Sequence, residues 1–237
     1  MPLINVKLIE GVFSNSQKKE IVEKLTDAMV TIEGGSLKKG RILAVDSGGF
    51  ADLPDPVLPD TGRPFNILVT GVGGTGVVTL GALVGMAAHI DGKGVSVLDM
   101  TGLAQKFGAV YSHLRIADSP ADIHAARIAT GEAHAVVGGD LVVSAGTEAV
   151  SKMLSGKTRA VINTAETPTA EFTRNPDWQF PLDRMEKRIV ESCGEDSTWF
   201  FDAQHLSIQL RGDAIFANTL LLGNAWQRGM IPVSLAA

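Results

Sequence analysis

Gly71-Val-Gly73-Gly74-Thr75-Gly76 carries the densest chemical signal in the chain. It follows the apolar run Ile67–Val72 and opens a segment with helical periodicity. Glycines at this spacing permit a tight turn and let backbone approach a phosphate, while the first helical turn offers unpaired N–H groups and positive potential. Asp99 lies 23 residues past Gly76, at the end of the next predicted strand, where a dinucleotide enzyme holds a ribose hydroxyl. The pattern reads two ways. Either the loop holds a phosphate-bearing ligand such as a nucleotide or coenzyme A, or its glycines only allow a strand and a helix to pack closely.

Other reactive side chains are sparse. The five histidines (His89, His113, His124, His134 and His205) form no i,i+4 pair with a third ligand nearby, so no metal site is expected. His113 alternates with Tyr111 and Arg115 onto what reads as the polar face of a strand. Asp140 follows a strand end, the position of a site residue in an open α/β sheet or of a helix cap. A lone cysteine, Cys193, permits neither an intrachain disulfide nor an iron–sulfur cluster held by several thiolates. There is no Gly-x-Ser-x-Gly elbow and no lysine after the glycines, which argues against hydrolase and NTPase chemistry.

The elements that must position these residues alternate from residue 65 onward. Strands are predicted at 67–72, 95–99, 110–116, 134–140, 159–163 and 199–202. Helices are predicted at 75–90, 145–154, 182–192 and 213–228. This order implies an α/β fold: a Rossmann-like, mostly parallel sheet with helices on both faces. Ahead of it, Ile4, Val6 and Leu8 alternate as a strand, and residues 16–33 carry an apolar helical stripe. Glycine and proline then dominate as far as Pro64, apart from a short predicted strand over 42–45. The expected division is a short β-α appendage at 1–33, an extended linker at 34–63 and an α/β domain at 64–237.

Hydrophobic residues make up 45% of the 237, enough to build a core of that size. The net charge of −5, the 13 aromatic residues and the absence of a Lys/Arg block argue against nucleic acid as a partner. No stretch approaches the roughly 20 apolar residues of a membrane span, and the N-terminus shows no basic-then-apolar pattern, so neither a span nor a leader is expected. A cytoplasmic location is expected, and homo-oligomerisation stays open.

Several motifs in order make a more specific pattern than the glycine loop alone. They are Gly71–Thr79, Leu103–Ile116, Gly139-Asp140, Asn163-Thr164 and Asn218–Gly223. Together they resemble the gamma domain of pyruvate/ketoisovalerate:ferredoxin oxidoreductases, within them the indolepyruvate branch. The wider family often has glutamine where Thr75 stands and Arg-Gly-Gly where Lys106-Phe107-Gly108 stands. The resemblance implies a component of an enzyme that decarboxylates a 2-oxoacid (indolepyruvate or another aryl one in this branch), passes the acyl group to coenzyme A and sends electrons to ferredoxin. It places thiamine diphosphate and iron–sulfur clusters on partner subunits, so the chain is not expected to act alone or to hold a cofactor tightly. Around a coenzyme A-like ligand it points to Gly71, Gly73, Gly74, Thr75 and Gly76, with Gln105, Lys106, Ser112 and Arg115 beside them. A stand-alone nucleotide-binding domain and a non-catalytic fused fragment are the alternatives.

Pro2-Leu-Ile-Asn-Val-Lys-Leu-Ile-Glu-Gly-Val-Phe13 followed by an amphipathic helix resembles a second family, 4-oxalocrotonate tautomerase. That resemblance implies removal of Met1 and use of the Pro2 secondary amine as a general base. The arginine that the family carries after its first strand is missing from Gly11-Val12-Phe13. The two patterns read almost alike near Val30–Gly35, where they join.

Overall fold

The structure, a computed structural model, describes residues 24, 53–102, 108–165 and 181–237. The expected strands around Ile4–Leu8 and at 42–45, and the linker as far as residue 52, lie outside the described residues; the linker's remainder, 53–63, contains no helix or strand and buries Thr61. The helix at 16–33 also lies outside the described residues, apart from Lys24, which is helical and exposed. All the described residues except Lys24 belong to the compact unit Leu43–Ala237.

Six strands form one sheet: β1 (Phe65–Val72), β2 (Gly94–Thr101), β3 (Ala109–Ala117), β4 (Ala135–Gly138), β5 (Arg159–Asn163) and β6 (Thr198–Phe201). Their order across the sheet is β2-β3-β1-β4-β5-β6. β1, β4, β5 and β6 pair in parallel, whereas β3 pairs antiparallel with both β1 and β2. The reversal follows from chain length: the seven residues between Thr101 and Ala109 are too few for a helical crossover, so β3 returns beside β2 as a hairpin does.

Helices cover both faces, as the alternation predicts. On one face, α1 (Val77–Ile90) and α6 (Ala217–Gln227) close a core of Ile67, Val69, Leu80, Val84, Leu114 and Leu221. The other face carries α2 (Leu141–Ser144), α3 (Thr147–Val150) and α4 (Leu182–Cys193), packed around Leu68, Ile128, Val136, Ile162 and Ile189. Burial on both faces explains the apolar runs, since Ile67 and Val69 serve one core while Leu68 serves the other. α5 (Ala203–Arg211) has no counterpart in the sequence reading. Asp202 caps it, accepting from the His205 N–H at 2.8 Å. Among the described residues no helix is long and apolar enough to cross a membrane.

Candidate functional site

β1 delivers the glycine loop to the carboxyl edge of the sheet. Gly73 N–H donates to the Gly108 carbonyl at 2.7 Å. The Thr75 N–H and hydroxyl both close on the Val72 carbonyl, at 3.1 and 2.7 Å. Gly74 and Gly76 take φ of 95° and 85°, a region that side chains disfavour. Gly71 is needed for space: a Cβ there would lie 2.6 Å from Val77 Cγ2 and 2.8 Å from Thr75 Oγ1. α1 begins at Val77, with the Leu80 N–H closing its first turn on the Gly76 carbonyl at 2.9 Å. The N–H groups of that first turn have no carbonyl within the helix to bond.

Above the loop lies a cleft of about 600 Å³, walled by α1 on one side and the start of α6 on the other. Gly74, Thr75 and Gly76 form its floor with Gly139 and Asn163, from the ends of β4 and β5. This is where the chain order reverses about β1, the place where open α/β sheets take ligands. Every residue lining the cleft is uncharged. Two asparagines hold the geometry. Asn163, buried, donates from Nδ2 to the Gly139 carbonyl at 3.0 Å, and its Oδ1 accepts from the N–H groups of Ala165 and Ala203 at 3.2 and 2.9 Å. Asn218, on α6, donates from Nδ2 to the Thr75 carbonyl. A side chain on Gly76 would meet that same amide.

Residues 66–237 match the family described as pyruvate ferredoxin/flavodoxin oxidoreductase. The chain belongs to this family. Indolepyruvate oxidoreductase subunit IorB of Pyrococcus horikoshii is 30% identical over 174 residues, 73% of this chain and 81% of that subunit. The subunit of the same name from Thermococcus kodakarensis is 28% identical over 174 residues, again 73% of this chain and 81% of the relative. The solved pyruvate oxidoreductase subunit PORC of Thermotoga maritima is 22% identical, with a TM-score of 0.49 over 72% of this chain and 79% of that one. Residues 2–36 match a second family, described as tautomerase enzyme.

In this member of the pyruvate ferredoxin/flavodoxin oxidoreductase family the predicted site residues are only partly brought together. Gly71, Gly73, Gly74, Thr75 and Gly76 make up the loop, and three of the five line the cleft. Pro2, Gln105 and Lys106 lie outside the described residues. Ser112 is not beside the loop: it is fully buried beneath α1, against Gly81. Arg115 is also misplaced by the sequence reading. It pairs in register with Asn66, near the amino end of β1, about 16 Å along the strand from Gly71. Its Nε donates to Asn66 Oδ1 at 3.0 Å and its Nη1 to the Ala125 carbonyl at 3.1 Å. Asp99 does not reach the cleft either, because β3 separates its strand from β1.

The supposed polar face of β3 is a second core face. His113 is fully buried, accepts at Nδ1 from the Ile128 N–H at 3.3 Å, and has its pKa pushed down to about 4 by burial and then by Lys152 and Arg127. Asp140 caps α2, accepting at Oδ1 from the Val143 N–H at 2.9 Å. Its burial raises the carboxyl pKa, against the pull of the nearby N–H groups of Val143, Val72 and Val142. Asn163, Asn218 and Gln204 are cleft residues that the binding set omitted. The available signal was a carboxamide at the end of an apolar strand and another in an apolar helix, Asn163 and Asn218.

Proposed function

We propose that the chain is the gamma-type subunit of a cytoplasmic 2-oxoacid:ferredoxin oxidoreductase acting on indolepyruvate or another aryl 2-oxoacid. The observation that carries this reading is the similarity to IorB, which runs through 174 residues and 81% of that subunit. In the reaction proposed, the 2-oxoacid loses carbon dioxide, its acyl group passes to coenzyme A, and the electrons leave to ferredoxin. Partner subunits bear the thiamine diphosphate and the clusters. An iron–sulfur cluster does not fit this chain, whose one cysteine, Cys193, is fully buried with its thiol pushed up to about 12.

Coenzyme A fits the cleft better. Nothing stands within 4 Å of where a Gly74 side chain would project, so a phosphate can approach the backbone there. The N–H groups at Gly74, Thr75 and Gly76 and the α1 N-terminus would hold it, with Thr79, Asn163 and Asn218 as neutral polar neighbours. When bound, coenzyme A supplies the thiol that accepts the acyl group. The chain's own part is to hold the ligand, orient it and exclude water.

The test is recovery of the tagged chain from its native cell extract, followed by mass spectrometry and assays for iron and thiamine. The expected eluate contains a thiamine- and iron-bearing partner and reduces a dye when an aryl 2-oxoacid and coenzyme A are added. A chain recovered without partner or cofactor overturns the reading.

The tautomerase match at residues 2–36 supports a second activity, enol-to-keto conversion with Pro2 as general base. Turnover of an enol substrate by the full chain should vanish in Pro2→Ala and whenever Met1 is retained. Equal turnover in all three forms rules Pro2 out.

A further inference from the structure

At the opposite end of the sheet from the cleft, two arginines meet one tryptophan. Arg159 is the first residue of β5, Trp199 the second of β6, and Arg228 follows α6. The Arg159 guanidinium carbon lies 5.3 Å from the Trp199 ring centroid, and that of Arg228 lies 4.2 Å from it. Both arginines are half-buried. We propose that Arg159 and Arg228, arrayed on Trp199, form a binding site for an oxyanion, a phosphate or carboxylate group.

The argument rests on unspent donors and unneutralised charge. A guanidinium has five N–H donors. Arg159 spends Nη1 on the Gly229 carbonyl at 3.3 Å, and Arg228 spends Nε on Asn224 Oδ1 at 2.8 Å. Both acceptors are neutral. The ion pairs found among the described residues involve Arg127, Lys152 and Lys187, and neither of these two arginines. Two like charges therefore share one indole in a chain whose net charge is −5. Burial, and then the charge of Arg228, push the Arg159 pKa down, so this arrangement costs free energy that an anion would recover.

The ring contact also leaves donors available. A guanidinium lying against an indole keeps its N–H edge free, and that planar fork matches carboxylate and phosphate oxygens. The turn after Arg228 is set by Gly229, whose φ is 65° and where a Cβ would collide with the Val57 carbonyl. One hydrogen bond and the ring contact hold each side chain before binding, which reduces the ordering cost of capture.

The test is an NMR titration of the full chain at constant ionic strength, following the indole N–H signals of Trp178, Trp199 and Trp226, with Trp199 assigned through Trp199→Phe. Inorganic phosphate and free glutamate are titrated separately. The expected result is a saturable shift of the Trp199 signal. Affinity should fall roughly tenfold in Arg159→Gln and in Arg228→Gln, the scale of one lost charge-assisted bond. Arg159→Lys and Arg228→Lys keep the charge without the fork and should fall in between. Saturation by phosphate alone identifies a phosphate-bearing ligand, and saturation by glutamate a carboxylate one. A shift that stays linear in both anions overturns the site, as does one equal in wild type and the four variants. Should a glutamine variant fail to fold, the lysine variants decide, and a melting temperature raised equally by phosphate in these and in wild type overturns the proposal too.

Discussion

Gly74 and Gly76 share a left-handed backbone but differ in surroundings. Gly74 faces open space, whereas Gly76 lies under the Asn218 amide. Gly74→Ala should therefore cost only the backbone term, about 1–2 kcal/mol. Gly76→Ala should cost more, because the new methyl also displaces Asn218. Asn218→Ala alone should cost about 1 kcal/mol through the lost bond to Thr75. The double variant should then be less unstable than the sum of the singles, as urea denaturation of all four proteins can measure. Strict additivity would show that Asn218 is not the obstacle. His113 makes a pH prediction. Its folded pKa is about 4 against an ordinary 6.5, so the unfolded chain binds the extra proton between those values. Stability is then complete above pH 6.5 and lost as pH falls toward 4, by about 3 kcal/mol in full. His113→Gln should flatten that fall, read as urea midpoints at pH 7 and 4.5. An unchanged slope would assign the acid sensitivity elsewhere. Asp140, whose pKa is raised, works with the opposite sign and loses stability as pH rises through its own range.

At the scale of the element, α1 is apolar on all sides, so sequence pattern alone does not tell its inner face from its outer one. Packing does. Leu80 and Val84 are buried, while Leu83 and Met86 are 57% and 60% exposed. Leu80→Ala should cost about 2–5 kcal/mol, the range for a core leucine. Met86→Lys, on the same helix, should stay within about 0.5 kcal/mol of wild type. Thermal or urea melts of the isolated chain separate the two, and a large loss from Met86→Lys would reverse the assignment of faces. α5 escaped the sequence reading for the converse reason. Ala203–Arg211 mixes polar and apolar residues without a clear stripe, and only Ala203 and Ser207 are buried.

For the whole molecule, the carboxyl edge of the sheet depends on Asn163. It ties the turn after β4, its own strand end and the start of α5 into one rim. Asn163→Leu would leave the Gly139 carbonyl and the N–H groups of Ala165 and Ala203 without that partner. The expected cost is at least about 3 kcal/mol, since each of the three buried groups left unpaired costs about 1–3. Amide exchange should also accelerate at Ala165 and Ala203 while β1 and β4 stay protected. A variant as stable as wild type would mean that the rim does not need this residue.

All six strands, the helices at α1, α4 and α6 and the glycine loop were readable in the sequence, because periodicity and turn glycines act over a few residues. Burial on both faces was readable too, from apolar runs such as Ile67–Val69. Tertiary structure alone decided what those elements bring together. The antiparallel return of β3 moved Asp99 away from the cleft and left Arg115 at the wrong end of the sheet for it. It also made a second core face of what alternation read as polar, burying His113. Asn218 meets Thr75 across 143 positions of sequence, and Arg159 and Arg228 meet over Trp199. Such meetings depend on strand order and helix packing, and spacing along the chain does not encode them.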